Sequence, residues 1–151
     1  MSDQPELKSS YEGAEVEELL PHRKPFLFVD RLTSVDKQRV VGEVTYRPDM
    51  WFFAGHFPKY PVVPGVIITE TMAQCGGAGL VATGLVPKGG IFLLVGVDNA
   101  KFRRQVRPGD EVRCEITNLR VSQKMIKQSG IAYVGDEVAA EAEWMCLVGN
   151  S

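Results

Sequence analysis

The stretch of residues 66–81 limits the possible folds of this chain more than any other segment. Its residues are apolar or small on every side, and it carries a single charged group, Glu70. It lacks the alternation of apolar and polar residues that marks a half-buried strand, so the pattern predicts a helix over about 65–83. Gly84 lies where such a helix commonly ends. A helix that is apolar all round must be covered all round, which requires a surrounding layer of other structure.

Extended segments on both sides of this stretch supply that layer. Enrichment in Val, Ile, Thr and aromatic residues predicts two strands before the helix and four after it, over 26–32, 39–47, 91–106, 111–121, 124–134 and 137–148. A short amphipathic helix over 14–20 precedes them and ends at Pro21. One long buried helix with about six mostly antiparallel strands is an α+β fold, and a single sheet buries such a helix only by curling around it.

The composition is that of an ordinary globular protein. The 151 residues fit one domain, predicted over 13–151 after a polar leader over 1–12, and 44% of them are hydrophobic. A net charge of −2 argues against a general nucleic-acid-binding surface. No run reaches the ~18 apolar residues that span a bilayer, and the N-terminal residues lack the apolar core of a signal peptide. The three cysteines form no CxxC pair and predict buried free thiols in a reducing cytosol: Cys75, Cys114 and Cys146.

A proline-rich loop over residues 55–65 precedes the long helix and carries the first candidate for catalysis. Pro58, Pro61 and Pro64 each restrict φ to about −65°, so the loop is stiff. His56 is the one side chain in the core of the loop that titrates near neutral pH. A histidine in a loop is often structural, but a stiff loop is what a positioned general base needs. We therefore treat His56 as a candidate base, with a purely structural role as the alternative.

Glu70 is the second candidate, because a carboxylate inside an apolar helix is unfavourable unless it is satisfied. It either forms a buried hydrogen bond to Gln74, one turn further on, or holds a proton near neutral pH and acts as an acid. Gly65 begins the helix, and its amide either simply starts the helix or stabilises a carbonyl oxygen that gains negative charge. His22 is interpreted as structural. With two histidines and no cluster of ligands, we expect no metal.

A cationic run stands out against the net charge of −2; it consists of Lys101, Arg103, Arg104 and Arg107. One interpretation is a solvated strand edge, where basic side chains also discourage aggregation. The other is a docking patch for an acidic partner. The sequence alone leaves both open.

Five ordered motifs make the chain resemble the 3-hydroxyacyl-acyl-carrier-protein dehydratases of the FabZ type, which have the hot-dog fold. The likeness extends over 19–146, and its motifs are LPHRKPFLFVDR at 20–31, GHFP to PG at 55–65, ETMAQ at 70–74, VDNAKF at 97–102 with PGD at 108–110, and AEAEWMC at 140–146. Four residues differ from those usual in that family: Val63, Thr69, Thr71 and Gln105. Of these, Val63 would alter the pocket wall and therefore the preferred length of the acyl chain.

The resemblance implies an antiparallel sheet wrapped around a long central helix. It implies that His56 and Glu70 are the catalytic pair, that Gly65 binds the thioester carbonyl, and that Gln74 orients near Glu70. The related isomerising dehydratases of the FabA type carry Asp in place of Glu70, which favours the FabZ interpretation. The implied partner is acyl carrier protein, which is acidic and suits the cationic run, and the implied location is the cytoplasm.

The implied reaction is loss of water from a 3-hydroxyacyl thioester in type II fatty acid biosynthesis, without a cofactor. His56 takes the C2 proton, Glu70 helps the hydroxyl leave, and the Gly65 amide stabilises the enolate-like oxygen. A hot-dog acyl thioesterase and a non-catalytic acyl-binding module are the alternatives. The acyl chain is expected in an apolar tunnel walled by Phe53, Phe57, Val63 and Phe92.

The expected assembly is a two-fold dimer with shared sites, and a trimer of dimers is a larger assembly left open. A stiff loop and at least ~7 Å of helix separate His56 from Glu70, so the two groups of one chain need not face the same point. Each site then takes His56 from one chain and Glu70 from the other. The glycines at 76, 77 and 79 lower helix propensity, so we expect another backbone to pack very close there and the bare face to suit a neighbouring subunit.

Overall fold

The computed structural model describes residues 8–150. They contain two helices, α1 (Ala14–Leu19) and α2 (Gly65–Ala82), and one antiparallel sheet of seven strands. The strands are β1 Tyr11–Glu12, β2 Arg31–Val35, β3 Arg39–Thr45, β4 Gly90–Phe102, β5 Glu111–Val121, β6 Met125–Val134 and β7 Glu137–Asn150. They lie in the order β1-β2-β3-β5-β6-β7-β4. No helix in this part of the chain is long and apolar enough to cross a membrane.

Helix α2 lies at the centre of the molecule, and the sheet wraps around it. The helix packs against β2, β3, β5, β6 and β7. Thirteen of its eighteen residues are buried, as expected from a sequence that is apolar on every side. The helix ends before Gly84, whose φ is +75° and whose N–H donates to the Val81 carbonyl. The predicted α+β architecture is therefore confirmed, and the predicted helix over 65–83 is correct to one residue.

The glycines at 76, 77 and 79 bring the helix unusually close to its own sheet. A Cβ at Gly79 would lie 2.8 Å from the Cβ of Val40 in β3, and a Cβ at Gly76 would overlap the amide of Gln128 in β6. The expected close packing is present, but its partners are side chains of the same subunit and not another backbone. The expectation that this face suits a neighbouring subunit is wrong, because the chain's own sheet already covers it.

The first predicted strand, over 26–32, is wrong in position, because β2 begins only at Arg31. The backbone before it bonds to a helix side chain instead. The Phe28 N–H donates to Gln74 Oε1, and Gln74 Nε2 donates to the Phe26 carbonyl, each at 2.9 Å. Backbone groups that are satisfied in this way are not available for a sheet ladder.

Most other strand boundaries are correct to within two residues, and two further differences change the description of the sheet. The run over 91–106 leaves the sheet after Phe102, where the N–H groups of Arg103 and Arg104 both donate to the Ala139 carbonyl. Residues 1–7 of the predicted leader lie outside the described residues, while Tyr11–Glu12 pair with β2. The sheet therefore begins inside the predicted leader.

Strand β4 forms one edge of the sheet and carries an exposed apolar surface. Its one strand partner within residues 8–150 is β7. Five of its apolar side chains are at least 40% exposed: Leu93, Leu94, Val95, Val97 and Phe102. A long apolar edge strand is a typical site of association with another chain.

Candidate active site

His56 is held by the loop that carries it. Its Nδ1 lies 3.0 Å from the carbonyl oxygen of Val62, and its own carbonyl accepts the Val62 N–H at 2.9 Å. Because a carbonyl oxygen only accepts, Nδ1 carries the proton of the neutral imidazole and Nε2 keeps a free lone pair. The ring also stacks on Phe57, with the centroids 4.2 Å apart. His56 therefore presents Nε2 as a base in a fixed orientation.

The segment that follows β4 braces this loop. The Val63 N–H donates to the Val106 carbonyl, and the Tyr60 hydroxyl donates to Gln105 Oε1, each at 2.8 Å. The guanidinium of Arg107 lies over the Tyr60 ring, 4.2 Å from its centroid. These contacts add to the stiffness that the three prolines predict.

Gly65 opens helix α2 beside His56, and the two residues line one cavity of about 550 Å³, called here the His56 cavity. The Gly65 N–H has no acceptor among residues 8–150, so it is free to bind a ligand at the positive end of the helix dipole. A Cβ at this position would lie 2.9 Å from the Phe102 ring, which explains the glycine. Val66, 76% exposed, adds an apolar wall. An unpaired amide beside a base suits a carbonyl oxygen that gains negative charge.

Glu70 lies about one and a half turns into α2 and is oriented by Gln74. Gln74 Nε2 donates to Glu70 Oε2 and to the Phe26 carbonyl, both at 2.9 Å, while Gln74 Oε1 accepts the Phe28 N–H. Gln74 is buried, and these bonds restrain it on every side. The hydrogen bond expected from the i, i+4 spacing is therefore present. It restrains Oε2, whereas Oε1 has no hydrogen-bond partner in the described part of the chain.

His22 and Cys146 share a small cavity of about 30 Å³ with Glu70, called here the Glu70 cavity. His22 Nε2 lies 3.6 Å from Glu70 Oε2. Burial lowers the pKa of His22, against the opposite effect of the Glu70 carboxylate, so the imidazole is neutral at neutral pH. Burial and, secondly, the Glu70 charge raise the pKa of Cys146 to about 11. This thiol therefore stays protonated and is no nucleophile at neutral pH.

The contact between His22 and Glu70 was not anticipated from the sequence. His22 was interpreted as structural, and no spacing rule relates it to a helix residue so far along the chain. The one sequence feature that pointed to a role for His22 is its position in the first motif of the family resemblance, at 20–31.

His56 and Glu70 of one chain line different cavities. Of the other predicted site residues, Gly65 lines the His56 cavity and Gln74 lines the Glu70 cavity. One chain therefore places His56 with Gly65 in one cavity and Glu70 with Gln74 in another.

The four predicted tunnel residues occupy different places. Val63 is buried and lines the His56 cavity, and Phe92 lines the Glu70 cavity. Phe53 is buried against Phe52 and faces a third cavity, while Phe57 is half exposed beside the His56 ring.

Two of the four side chains in the cationic run are paired with carboxylates. Arg103 makes two contacts of 3.2 Å with Glu141, and Arg104 lies 3.3 Å from Glu137. Both arginines also line the His56 cavity. Lys101 is exposed and has no ion pair in the described part of the chain. The run thus places two paired guanidinium groups in the lining of that cavity, and the exposed Lys101 lies nearby on β4.

Comparison with known proteins identifies the family of this chain. A family model described as a FabA-like domain matches residues 20–143. A 3-hydroxyacyl-[acyl-carrier-protein] dehydratase FabZ from Desulforamulus reducens is 45% identical over 136 residues, covering 89% of this chain and 95% of that protein. One from Pelotomaculum thermopropionicum is 46% identical over 137 residues, with coverage of 89% and 96%.

Solved structures share the fold. The dehydratase heterocomplex ApeI:P from Xenorhabdus doucetiae superposes with a TM-score of 0.76 at 18% identity, covering 90% of this chain and 91% of that chain. The uncharacterized protein PH1136 from Pyrococcus horikoshii gives 0.65 at 13% identity, with coverage of 89% and 93%. The hot-dog fold predicted from the resemblance is confirmed, so the class is a FabA-like hot-dog domain. Within that class, the chain belongs to the family of the FabZ 3-hydroxyacyl-[acyl-carrier-protein] dehydratases.

Proposed function

We propose that the protein is a hydro-lyase that removes water from 3-hydroxyacyl-acyl carrier protein and yields the trans-2-enoyl product in type II fatty acid biosynthesis. One observation carries the proposal: the free Nε2 of His56 and the unpaired amide of Gly65 open on the same cavity. A base and an oxyanion donor are the two groups that abstraction of a proton next to a thioester carbonyl requires. The names of the relatives support the substrate class.

The proposed mechanism assigns one step to each group. His56 Nε2 takes the C2 proton while the Gly65 N–H and the helix dipole stabilise the charge that develops on the thioester oxygen. Glu70, as a carboxylic acid, gives its proton from Oε1 to the C3 hydroxyl, and the C3–O bond breaks to release water. His56 then holds one extra proton and Glu70 lacks one, and exchange with solvent restores both. No cofactor takes part.

The site is proposed to form between two copies of the chain. Leu94 in β4 lines the Glu70 cavity, and Phe102, the last residue of β4, lines the His56 cavity. If the β4 strands of two copies pair antiparallel about Asp98, Leu94 of each copy lies opposite Phe102 of the other. That pairing brings the His56 cavity of one copy to the Glu70 cavity of its partner. It also covers the exposed apolar surface of β4, and a trimer of such dimers extends the proposal.

The acyl chain is proposed to run between the joined cavities. Val63 and Phe92 support this path, because they line the His56 cavity and the Glu70 cavity respectively. The tunnel roles of Phe53 and Phe57 stay predictions. A cytoplasmic location is also part of the proposal, and the three cysteines, which are buried free thiols, suit a reducing compartment.

Purified protein is expected to convert 3-hydroxyacyl thioesters of several chain lengths, on acyl carrier protein and on coenzyme A, to the 2-enoyl thioesters. The loss of water is followed by mass spectrometry and by the absorbance of the conjugated product. Saturated acyl thioesters are the control, since they have no hydroxyl to lose. Release of free thiol from that control would identify a thioesterase, and binding without turnover would identify an acyl-binding module. Either outcome would contradict the proposal.

Lys101→Glu is expected to raise KM for the carrier-protein substrate by about three- to tenfold, the scale of reversing one exposed charge opposite an acidic partner. Lys101 is the suitable residue because it is exposed and, although it lies opposite Glu141 in the β4–β7 pair, makes no direct ion pair within residues 8–150, whereas Arg103 is bonded to Glu141. High salt is expected to reduce the difference, because exposed charges are screened over ~8–10 Å.

The matched control is Lys124→Glu, the same charge change in the turn between β5 and β6. It is expected to leave KM unchanged. Turnover of a small coenzyme A thioester is expected to stay normal in both variants. An equal loss on both substrates in Lys101→Glu would argue against a docking role.

A further inference from the structure

Two nitrogen atoms face the same oxygen of Glu70. Gln74 Nε2 lies 2.9 Å from Glu70 Oε2, and His22 Nε2 lies 3.6 Å from it. The other carboxyl oxygen, Oε1, has no such neighbour in the described part of the chain. The carboxyl group is therefore asymmetric: one oxygen is surrounded by nitrogen donors and the other is open.

The surroundings of His22 determine which of its nitrogens carries the proton. Nδ1 is buried and has no hydrogen-bond partner within residues 8–150. A proton on Nδ1 would leave a buried donor unsatisfied and would set the Nε2 lone pair against the lone pairs of Glu70 Oε2. A proton on Nε2 avoids both penalties, because the N–H then points at the carboxyl oxygen. Burial lowers the pKa of His22, so the ring carries this one proton at neutral pH.

The Arg23 side chain restrains the backbone at His22. The Arg23 guanidinium donates to the carbonyls of Leu20 and His22, at 2.9 and 2.6 Å. The contact of 3.6 Å between His22 and Glu70 is longer than a hydrogen bond, and catalytic contacts of this kind commonly shorten when substrate binds.

We propose that His22 is a positioning residue for the acid step. Together with Gln74 it keeps two N–H donors on Glu70 Oε2, and the acid proton of Glu70 therefore resides on Oε1, from which it passes to the leaving hydroxyl. This inference rests on the proposed function, in which Glu70 is the acid.

A pair of substrates with different leaving groups tests the role. A 3-hydroxyacyl thioester needs a proton on its departing oxygen, whereas a 3-fluoroacyl thioester releases fluoride, which leaves without one. His22→Leu is expected to lower kcat/KM for the hydroxy substrate about fivefold relative to the fluoro substrate, the scale of losing one hydrogen bond between uncharged groups. The ratio does not depend on how much of the variant is folded, because both substrates report on the same molecules.

Two amide variants test whether His22 acts through its Nε2–H group or only through its packing. His22→Gln places an N–H at the ε position, as Nε2 does, and is expected to restore most of the ratio. His22→Asn places its N–H at the δ position and is expected to behave like His22→Leu. If His22→Leu keeps the wild-type ratio of kcat/KM between the two substrates, the proposal is wrong. This holds whether both activities are normal or both fall equally, and an equal fall would indicate a structural role.

Glu70→Gln distinguishes this inference from the proposed function. It is expected to lose turnover of the hydroxy substrate and to keep elimination of fluoride. If Glu70→Gln keeps the hydroxy turnover, Glu70 is not the acid, and both its role and that of His22 are wrong. If Glu70→Gln separates the two substrates and His22→Leu does not, only the role of His22 is wrong.

Discussion

His56→Ala is expected to lower kcat for dehydration by at least ~10²-fold, the usual scale for removing a general base. No other side chain that its own chain contributes to the His56 cavity can replace it, because the rest of that lining consists of apolar, amide and guanidinium groups. None of these accepts a proton at neutral pH. The initial rate of water loss from a 3-hydroxyacyl thioester measures the effect.

The variant is expected to stay folded, since the His56 side chain makes one hydrogen bond, to the Val62 carbonyl, and is partly exposed. Thermal unfolding checks this. Lys59→Ala is the control in the same loop, because Lys59 is exposed and has no ion pair within residues 8–150; its turnover of a small thioester is expected to be near normal. Near-normal turnover by folded His56→Ala protein would remove the base role from His56.

Features that depend on local sequence were predicted well. The predicted range of helix α2 is correct to one residue, and the strand predicted over 111–121 coincides with β5. Periodicity, helix-stop glycines and turn residues act over a few positions, so they can be read without the partner elements. The proximity of His56 and Gly65 is also local, because a stiff loop joins them directly, although only the family resemblance placed them in one site.

Features that depend on distant partners were not predicted. Residues 26–28 carry the apolar side chains of a strand, but their backbone bonds to Gln74, which lies on a helix far along the chain. The glycines of α2 predicted close packing, but they did not indicate whether a side chain or a backbone segment would occupy the space. His22 belongs with these cases, since only the fold brings it to Glu70. Local pattern carries no information on which distant group satisfies a backbone or a carboxylate.

The proposed site shared between two copies of the chain makes activity depend on dimer formation. Within one chain, His56 and Glu70 line different cavities, and β4 extends from one cavity to the other. A two-fold axis near the middle of β4 joins unlike cavities of two copies, so a dimer contains two equivalent sites. A single chain then has both catalytic groups and no complete site.

Mixing two inactive variants tests this directly. His56→Ala and Glu70→Gln proteins, each inactive alone, are expected to regain activity when they are unfolded together and refolded as a mixture. Random pairing makes about half of the dimers mixed, and one of the two sites in each mixed dimer is intact, so roughly a quarter of the wild-type activity returns. The control is the same mixture without unfolding, in which slow exchange of subunits keeps the activity low. If each subunit built its site alone, every site in the refolded mixture would lack one group and the mixture would stay inactive. That result would contradict the shared site while leaving the roles of His56 and Glu70 unchanged.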